Sequence, residues 1–202
     1  MKDRRNKTYR LTIRAILTAI ILIQGMVPFL GFIPLGLISL TIVHITVIIA
    51  AITLGTKDGM FIGLMWGLTT LIRAWTMPTT PMDTLVFTNP IISVLPRVIV
   101  GLVTGVIFTI LYKKSQKLSV STMIAAALGT LTNTFLVLGL MGLLYTTPVA
   151  ESFGTTAAGL WTVLGAAILT NGVPEIIAAV IITPIIVKAI FKATSLSPDK
   201  RD

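Results

Sequence analysis

The stretch Ala15–Thr56, AILTAIILIQGMVPFLGFIPLGLISLTIVHITVIIAAITLGT, runs for 42 residues without an Asp, Glu, Lys or Arg. At about 1.5 Å per residue, a straight helix of that length is roughly twice the thickness of a bilayer core. Pro28, Gly31, Pro34 and Gly36 crowd its middle, where turn-forming residues break a helix. The stretch therefore reads as two membrane crossings joined by a tight turn.

The rest of the chain agrees. Of 202 residues 54% are hydrophobic and 11% charged, with a mean hydropathy of +0.96. Water-soluble domains carry about 25% charged residues. The apolar segment at the start continues too far for a cleaved signal peptide and lacks an obvious small-x-small site. Dividing the apolar runs at turn signals predicts an all-α, integral membrane bundle of six transmembrane helices. They run from about Tyr9 to Leu30, Leu37 to Leu54, Met60 to Thr76, Pro90 to Tyr112, Val120 to Tyr145 and Leu160 to Phe191. Asn89 is placed to cap the fourth, with Pro90 at its first position. A basic segment, residues 1–8, precedes the membrane domain 9–192, and a tail, 193–202, follows it.

Charge fixes the expected orientation. Lys2, Arg4, Arg5, Lys7, Arg10, Arg14, Lys57, Lys113, Lys114, Lys117, Lys188, Lys192, Lys200 and Arg201 all fall on one side of a six-span arrangement. The opposite loops hold only Asp83 and Glu151. The positive-inside rule then puts both termini in the cytoplasm. The same clustering at span ends explains the net charge of +9 without nucleic acid.

Chemistry is constrained by what is missing. There is no Cys and a single His, which leaves no thiolate nucleophile, no disulfide framework and no multi-His or Cys metal centre. No G-x-x-x-x-G-K-[ST] loop and no plausible Ser/His/Asp set occurs. The sequence reads as a binding or transport protein, not an enzyme, with no cofactor, no metal and no catalytic residue of its own.

Polar groups left inside the apolar spans are the candidate site, because charge at bilayer depth is costly and faces protein or a cavity. These are Arg97, Arg73, Glu175, His44, Asn89, Asn133 and Asn171, with Trp75 at the outer mouth. Arg97 and Arg73 belong to the outer half. They suggest an outward-facing pocket in which a guanidinium holds an anion and Asn side chains read amides or hydroxyls. Plainer roles compete: Glu175 as a structural ion-pair partner of an Arg, Arg73 snorkelling to the interface, His44 as an interhelical hydrogen-bonder or a proton relay. Trp161 fits an outer aromatic belt and Trp66 an interior or lipid-facing position. The Pro- and Thr-rich segment Met77 to Asn89 is either a lid or a stiff connector. Pairs of small residues four apart, Ala15/Ala19, Gly63/Gly67 and Gly101/Gly105, mark close helix approach.

Three of these stretches carry a resemblance. Ala15-x-x-x-Ala19, Asn89-Pro90-Ile91-Ile92-Ser93-Val94-Leu95-Pro96-Arg97-Val98-Ile99-Val100-Gly101 and Leu128-Gly129-Thr130-Leu131-Thr132-Asn133-Thr134 resemble the substrate-capture (S) subunits of energy-coupling factor (ECF) transporters, over all six spans. The nearest likeness is to the pantothenate-specific branch, with the hydroxymethylpyrimidine branch as the rival. The resemblance implies a multi-pass protein of a bacterial cell membrane that captures a vitamin from outside. It implies as partners a transmembrane coupling protein and two cytoplasmic ATPases, with Ala15 and Ala19 as the docking motif. A carboxylate-bearing vitamin suits Arg97 better than a neutral pyrimidine does. A self-sufficient proton-coupled carrier is the other class the residues allow.

Overall fold

The computed structural model describes residues 2–27, 30–35, 38–194, 196–199 and 201; the side chains of 2–7, 34, 35 and 38 fall outside that description. Pro28, Gly36, Leu37 and Lys200, and the side chains of Lys2, Arg4, Arg5, Lys7 and Pro34, thus lie outside the described residues. The elements in chain order are α1 (Lys2–Met26), β1 (Phe32–Leu35), β2 (Ile38–Thr41), α2 (Val43–Thr53), α3 (Thr56–Thr76), a π-helical turn (Asp83–Phe87), α4 (Pro90–Ser93), α5 (Leu95–Ser115), α6 (Leu118–Leu144), α7 (Thr146–Ser152), α8 (Leu160–Ala167), a second π-helical turn (Ile168–Gly172) and α9 (Val173–Ala193). The architecture is all-α, apart from one small hairpin.

The first two expected spans need correction. The helix expected over Tyr9–Leu30 starts earlier and stops at Met26, and the one expected over Leu37–Leu54 begins only at Val43. Between them β1 and β2 pair antiparallel, Phe32 opposite Thr41 and Leu35 opposite Ile38. Phe32, Ile33 and Ile38 are aromatic or β-branched, types that favour strands, and the Thr41 N–H at the end of β2 is satisfied by Glu175. Irregular backbone is tolerated at membrane depth where it is buried in protein or lines a cavity. The Gly31 carbonyl accepts from Ile42 N–H at 2.9 Å, closing the hairpin onto the start of α2.

Among the described residues, four segments are long and apolar enough by themselves to cross a membrane: Thr8–Met26, Pro90–Ser115, Leu118–Leu144 and Leu160–Ala193. Val43–Thr53 is apolar but short, 11 residues. All of its side chains are buried, so α2 is the central rod of the bundle. It packs on α1, α3, α5, α6 and α9, which shield it from lipid.

The core seam is the pairing of α3 with α5. A methyl group placed on Gly63 would strike the backbone carbonyl of Arg97, and one on Gly67 would come within 2.7 Å of Val94 Cα. Gly101 faces the backbone of Gly59 in the same way, and Gly105 faces Thr56. Both glycine pairs therefore serve internal packing, where van der Waals contact between backbones replaces the hydrophobic effect. Ala15 and Ala19 differ: both are exposed, on a face of α1 shared with Leu11, Ile16 and Ile23.

At the basic end, charged groups knit the helix termini. Arg10 donates to the Leu54 carbonyl (2.9 Å) and Asp58 (3.0 Å), while Arg14 pairs with Asp58 at 3.3 Å. From the tail, Arg201 donates to the Ala51 and Ile52 carbonyls at 2.9 and 3.2 Å. The last turn of α2 is thus capped by arginines from both arms of the chain, favourable placement for cations at a helix C-terminus.

We expect Gly101→Ala to destabilise the protein by roughly 1–3 kcal/mol through overpacking. Gly139→Ala, with nothing within 4 Å of the added methyl, should be neutral or slightly stabilising. Thermal unfolding in detergent compares the two.

Candidate functional site

Two prolines shape the site. Pro96 has no N–H, so the Ile92 carbonyl lacks its ordinary partner four residues on. Helix α4 ends at Ser93 and α5 starts at Leu95. The Arg97 guanidinium takes the freed carbonyl, Nη1 donating at 2.8 Å. Pro174 acts similarly after the second π-helical turn, where the ladder widens and Asn171 and Glu175 turn inward. Single-turn π-helices recur at functional sites for this reason.

The result is a cavity of about 110 Å³ between the hairpin, α3, α5, α6 and the α8–α9 segment. Arg97, Arg73, Asn133, Asn171 and Glu175 line it, as do Trp66, Thr70, Asp83, Phe87 and Thr134. Val137, Leu138, Met141 and Ala167 form an apolar wall. Drug-sized ligand sites have this composition, a mostly apolar surround with a few converging polar groups.

Arg97 is the dominant charge. It is 5% exposed. Its guanidinium carbon lies 4.8 Å from the Trp66 ring centre and 5.3 Å from that of Phe87. Its Nε is buried without a hydrogen-bond partner. Among the described residues no carboxylate forms an ion pair with it. Each ring contact is worth about 0.5–2 kcal/mol, against several kcal/mol for desolvating an ion. The ring contacts alone do not compensate the burial.

Glu175 does not neutralise Arg97 as a contact partner. Its Oε1 accepts the Thr41 N–H at 2.7 Å, tying α9 to the end of β2. Asn133 is 5% exposed and its Oδ1 is buried without a partner. The cavity is therefore lined by a guanidinium with no carboxylate contact among the described residues and by an amide whose oxygen is buried without a partner.

Arg73 has a different fate. Nη2 and Nη1 donate to the two oxygens of Asp83 at 2.9 and 3.1 Å, and Nη1 also donates to Thr79 Oγ1 at 2.8 Å. The guanidinium also stacks 4.2 Å from the Phe32 ring centre. This fork joins α3, the segment after it and the hairpin into one outer rim. Burial works against ionisation of Asp83, but the Thr79 and Thr80 N–H donors and Arg73 outweigh it and hold the carboxyl below its ordinary value. Sequence reasoning named Asp83 only as a loop charge; nothing in the spacing pointed to a ten-residue fork.

Three expected site residues lie elsewhere. Asn89 does cap α4, its Oδ1 accepting from Ile91 N–H at 2.9 Å and its Nδ2 donating to the Tyr145 hydroxyl at 3.2 Å. Trp75 is 71% exposed and points away from the cavity wall. His44 is fully buried in α2 and does not line the cavity. Trp66 and Phe87 were missed as lining residues, although a buried cation makes nearby aromatic faces an expected surround.

Residues 9–187 match the family described as ECF transporter, substrate-specific component. The chain belongs to this family. With its apolar helices, it is a multi-pass protein of the cell membrane. Two relatives are similar to it. The "Pantothenate transporter PanT" of Leuconostoc mesenteroides subsp. mesenteroides is 47% identical over 107 residues, 51% of this chain and 52% of that protein. The chain thus aligns with about half the length of this relative. The "Pantothenic acid transporter PanT" of Lactococcus lactis subsp. cremoris is 36% identical over 171 residues, 78% of this chain and 80% of that protein.

Asp83→Asn should free Arg73 and cost about 3–5 kcal/mol, as breaking one side of a buried pair does. Because the folded-state carboxyl is depressed, its contribution is complete above the ordinary carboxylate range. It is lost as pH falls through the lower folded value. Unfolding midpoints followed down to pH 3 should therefore fall on the acid side in the unaltered protein and flatten in the variant.

Proposed function

We propose that the chain is the substrate-capture subunit of an ATP-driven ECF importer, binding pantothenate in this cavity. The observation that carries the reading is the buried Arg97 guanidinium, unpaired by any described carboxylate and open to a cavity with amide groups and an apolar wall. Pantothenate has one carboxylate, two hydroxyls, an amide and a gem-dimethyl group. The carboxylate matches the two-donor fork of Arg97. Asn133 and Asn171 suit the amide and hydroxyls, and Val137, Leu138 and Met141 suit the methyl groups. The names of the two relatives support the same substrate.

In this reading the chain crosses the membrane six times with both termini in the cytoplasm. Residues 1–8 extend α1 on that side, 9–192 form the membrane domain and 193–202 the tail. The short α2 completes its crossing through the hairpin, which fills the outer half. A transmembrane coupling protein and two cytoplasmic ATPases supply the energy. The exposed Ala15/Ala19 face of α1 is the docking surface, where small residues allow helices to approach closely.

Calorimetry of the purified chain with pantothenate and with hydroxymethylpyrimidine tests the substrate. We expect heat only with pantothenate, and Arg97→Ala should weaken it by at least about a hundredfold, the scale of a charge-assisted pair. Binding of the neutral pyrimidine instead, or unaltered affinity in the variant, removes the reading. Ala19→Trp should keep binding and lose co-purification with the coupling protein. Retained assembly would place docking elsewhere.

A further inference from the structure

Two formal charges of the cavity, Arg97 and Glu175, attract one another without direct contact. Arg97 reaches the cavity from α5, and Glu175 reaches it from α9 beside the hairpin. Among the described residues no ion pair joins them. The other cation, Arg73, is neutralised by the bidentate contact with Asp83 at 2.9 and 3.1 Å. A ligand therefore meets one available guanidinium, at Arg97, and one carboxylate, at Glu175. Glu175 spends Oε1 on Thr41 N–H and keeps its second oxygen as an acceptor.

We propose that Glu175 limits the ligand to one negative charge: the cavity takes a carboxylate at Arg97, accepts hydrogen-bond donors at Glu175, and rejects molecules with a second anion at that end. The inference rests on the capture reading above and assigns the orientation of the ligand within it. A hydroxylated monocarboxylate fits, its acid toward Arg97 and its hydroxyl end toward Glu175. A dicarboxylate, or the same acid phosphorylated on its hydroxyl, places like charges together and finds no second free cation among the described residues that line the cavity. At an effective dielectric of about 20, two like charges roughly 5 Å apart repel enough for a loss of affinity on the order of a hundredfold. Rejection by an unpaired like charge is a recognised route to specificity.

The test is built on Glu175→Gln, whose amide oxygen can still accept the Thr41 N–H, while the charge is removed and the second oxygen is replaced by an NH2 donor. Calorimetry compares pantothenate, 4′-phosphopantothenate and the neutral 4′-O-acetyl ester, which carries bulk at the same hydroxyl. With the unaltered chain we expect the phosphorylated probe to bind about a hundredfold more weakly than pantothenate, and clearly more weakly than the ester. In the variant the gap between pantothenate and the phosphorylated probe should narrow by about tenfold or more, whatever the loss of a charged acceptor costs pantothenate itself. Equal losses for ester and phosphate in the unaltered chain would make bulk the cause and overturn the charge limit, whatever the variant does. An unchanged gap in a folded variant overturns it too. If the unaltered chain binds no pantothenate, the capture reading fails first. Pantothenate binding without charge discrimination leaves that reading standing and removes only this one.

Discussion

The structure is organised around the expense of keeping one guanidinium away from water. Arg97 is held by a single backbone carbonyl, two aromatic faces and no carboxylate. Together these fall short of the hydration it has given up. The rest of the outer half arranges itself about that imbalance. Trp66 and Phe87 cover the ion, Asn133 leaves an amide oxygen unspent, and Glu175 is turned to the hairpin. The neighbouring Arg73 is quenched by its own aspartate. One cation is made structural so that the other remains chemically available.

Position comes from packing and not from polar bonding. The Gly63 and Gly67 backbones lie directly on the Val94–Arg97 turn, so α3 fixes the height of the arginine's backbone, and Trp66 from the same helix covers its guanidinium. Rigid placement of this kind is what a site needs if it is to hold a ligand without first ordering itself. The Arg73–Asp83 fork does the same for the rim, linking α3 and the hairpin through Phe32.

Much of this was legible in the chain, and the exceptions have physical causes. Long uncharged runs, glycine spacing and the Asn89-Pro90 cap are local signals, and each appears where local rules place it. Arg97, Asn133 and Glu175 stood out because polar groups at depth must face something. The hairpin escaped notice because an apolar stretch cannot itself distinguish a buried strand from a helix, and proline and glycine only mark where a break begins. Asp83 and Trp66 escaped because their roles depend on which helices become neighbours. His44 and Trp75 show the converse: a conspicuous residue type in a plausible span still has to point the right way.

The second π-helical turn, Ile168–Gly172, accommodates a residue that a regular helix would not. Each residue advances an α-helix by about 100°. Were that turn to tighten into regular helix with all its residues retained, the surplus residue would swing everything beyond it by roughly a quarter of a revolution. Glu175 would leave the interior, while the lipid-facing surface of the same helix would rotate inward. The recognition chemistry of this span thus hangs on one widened turn continuing to hold its extra residue.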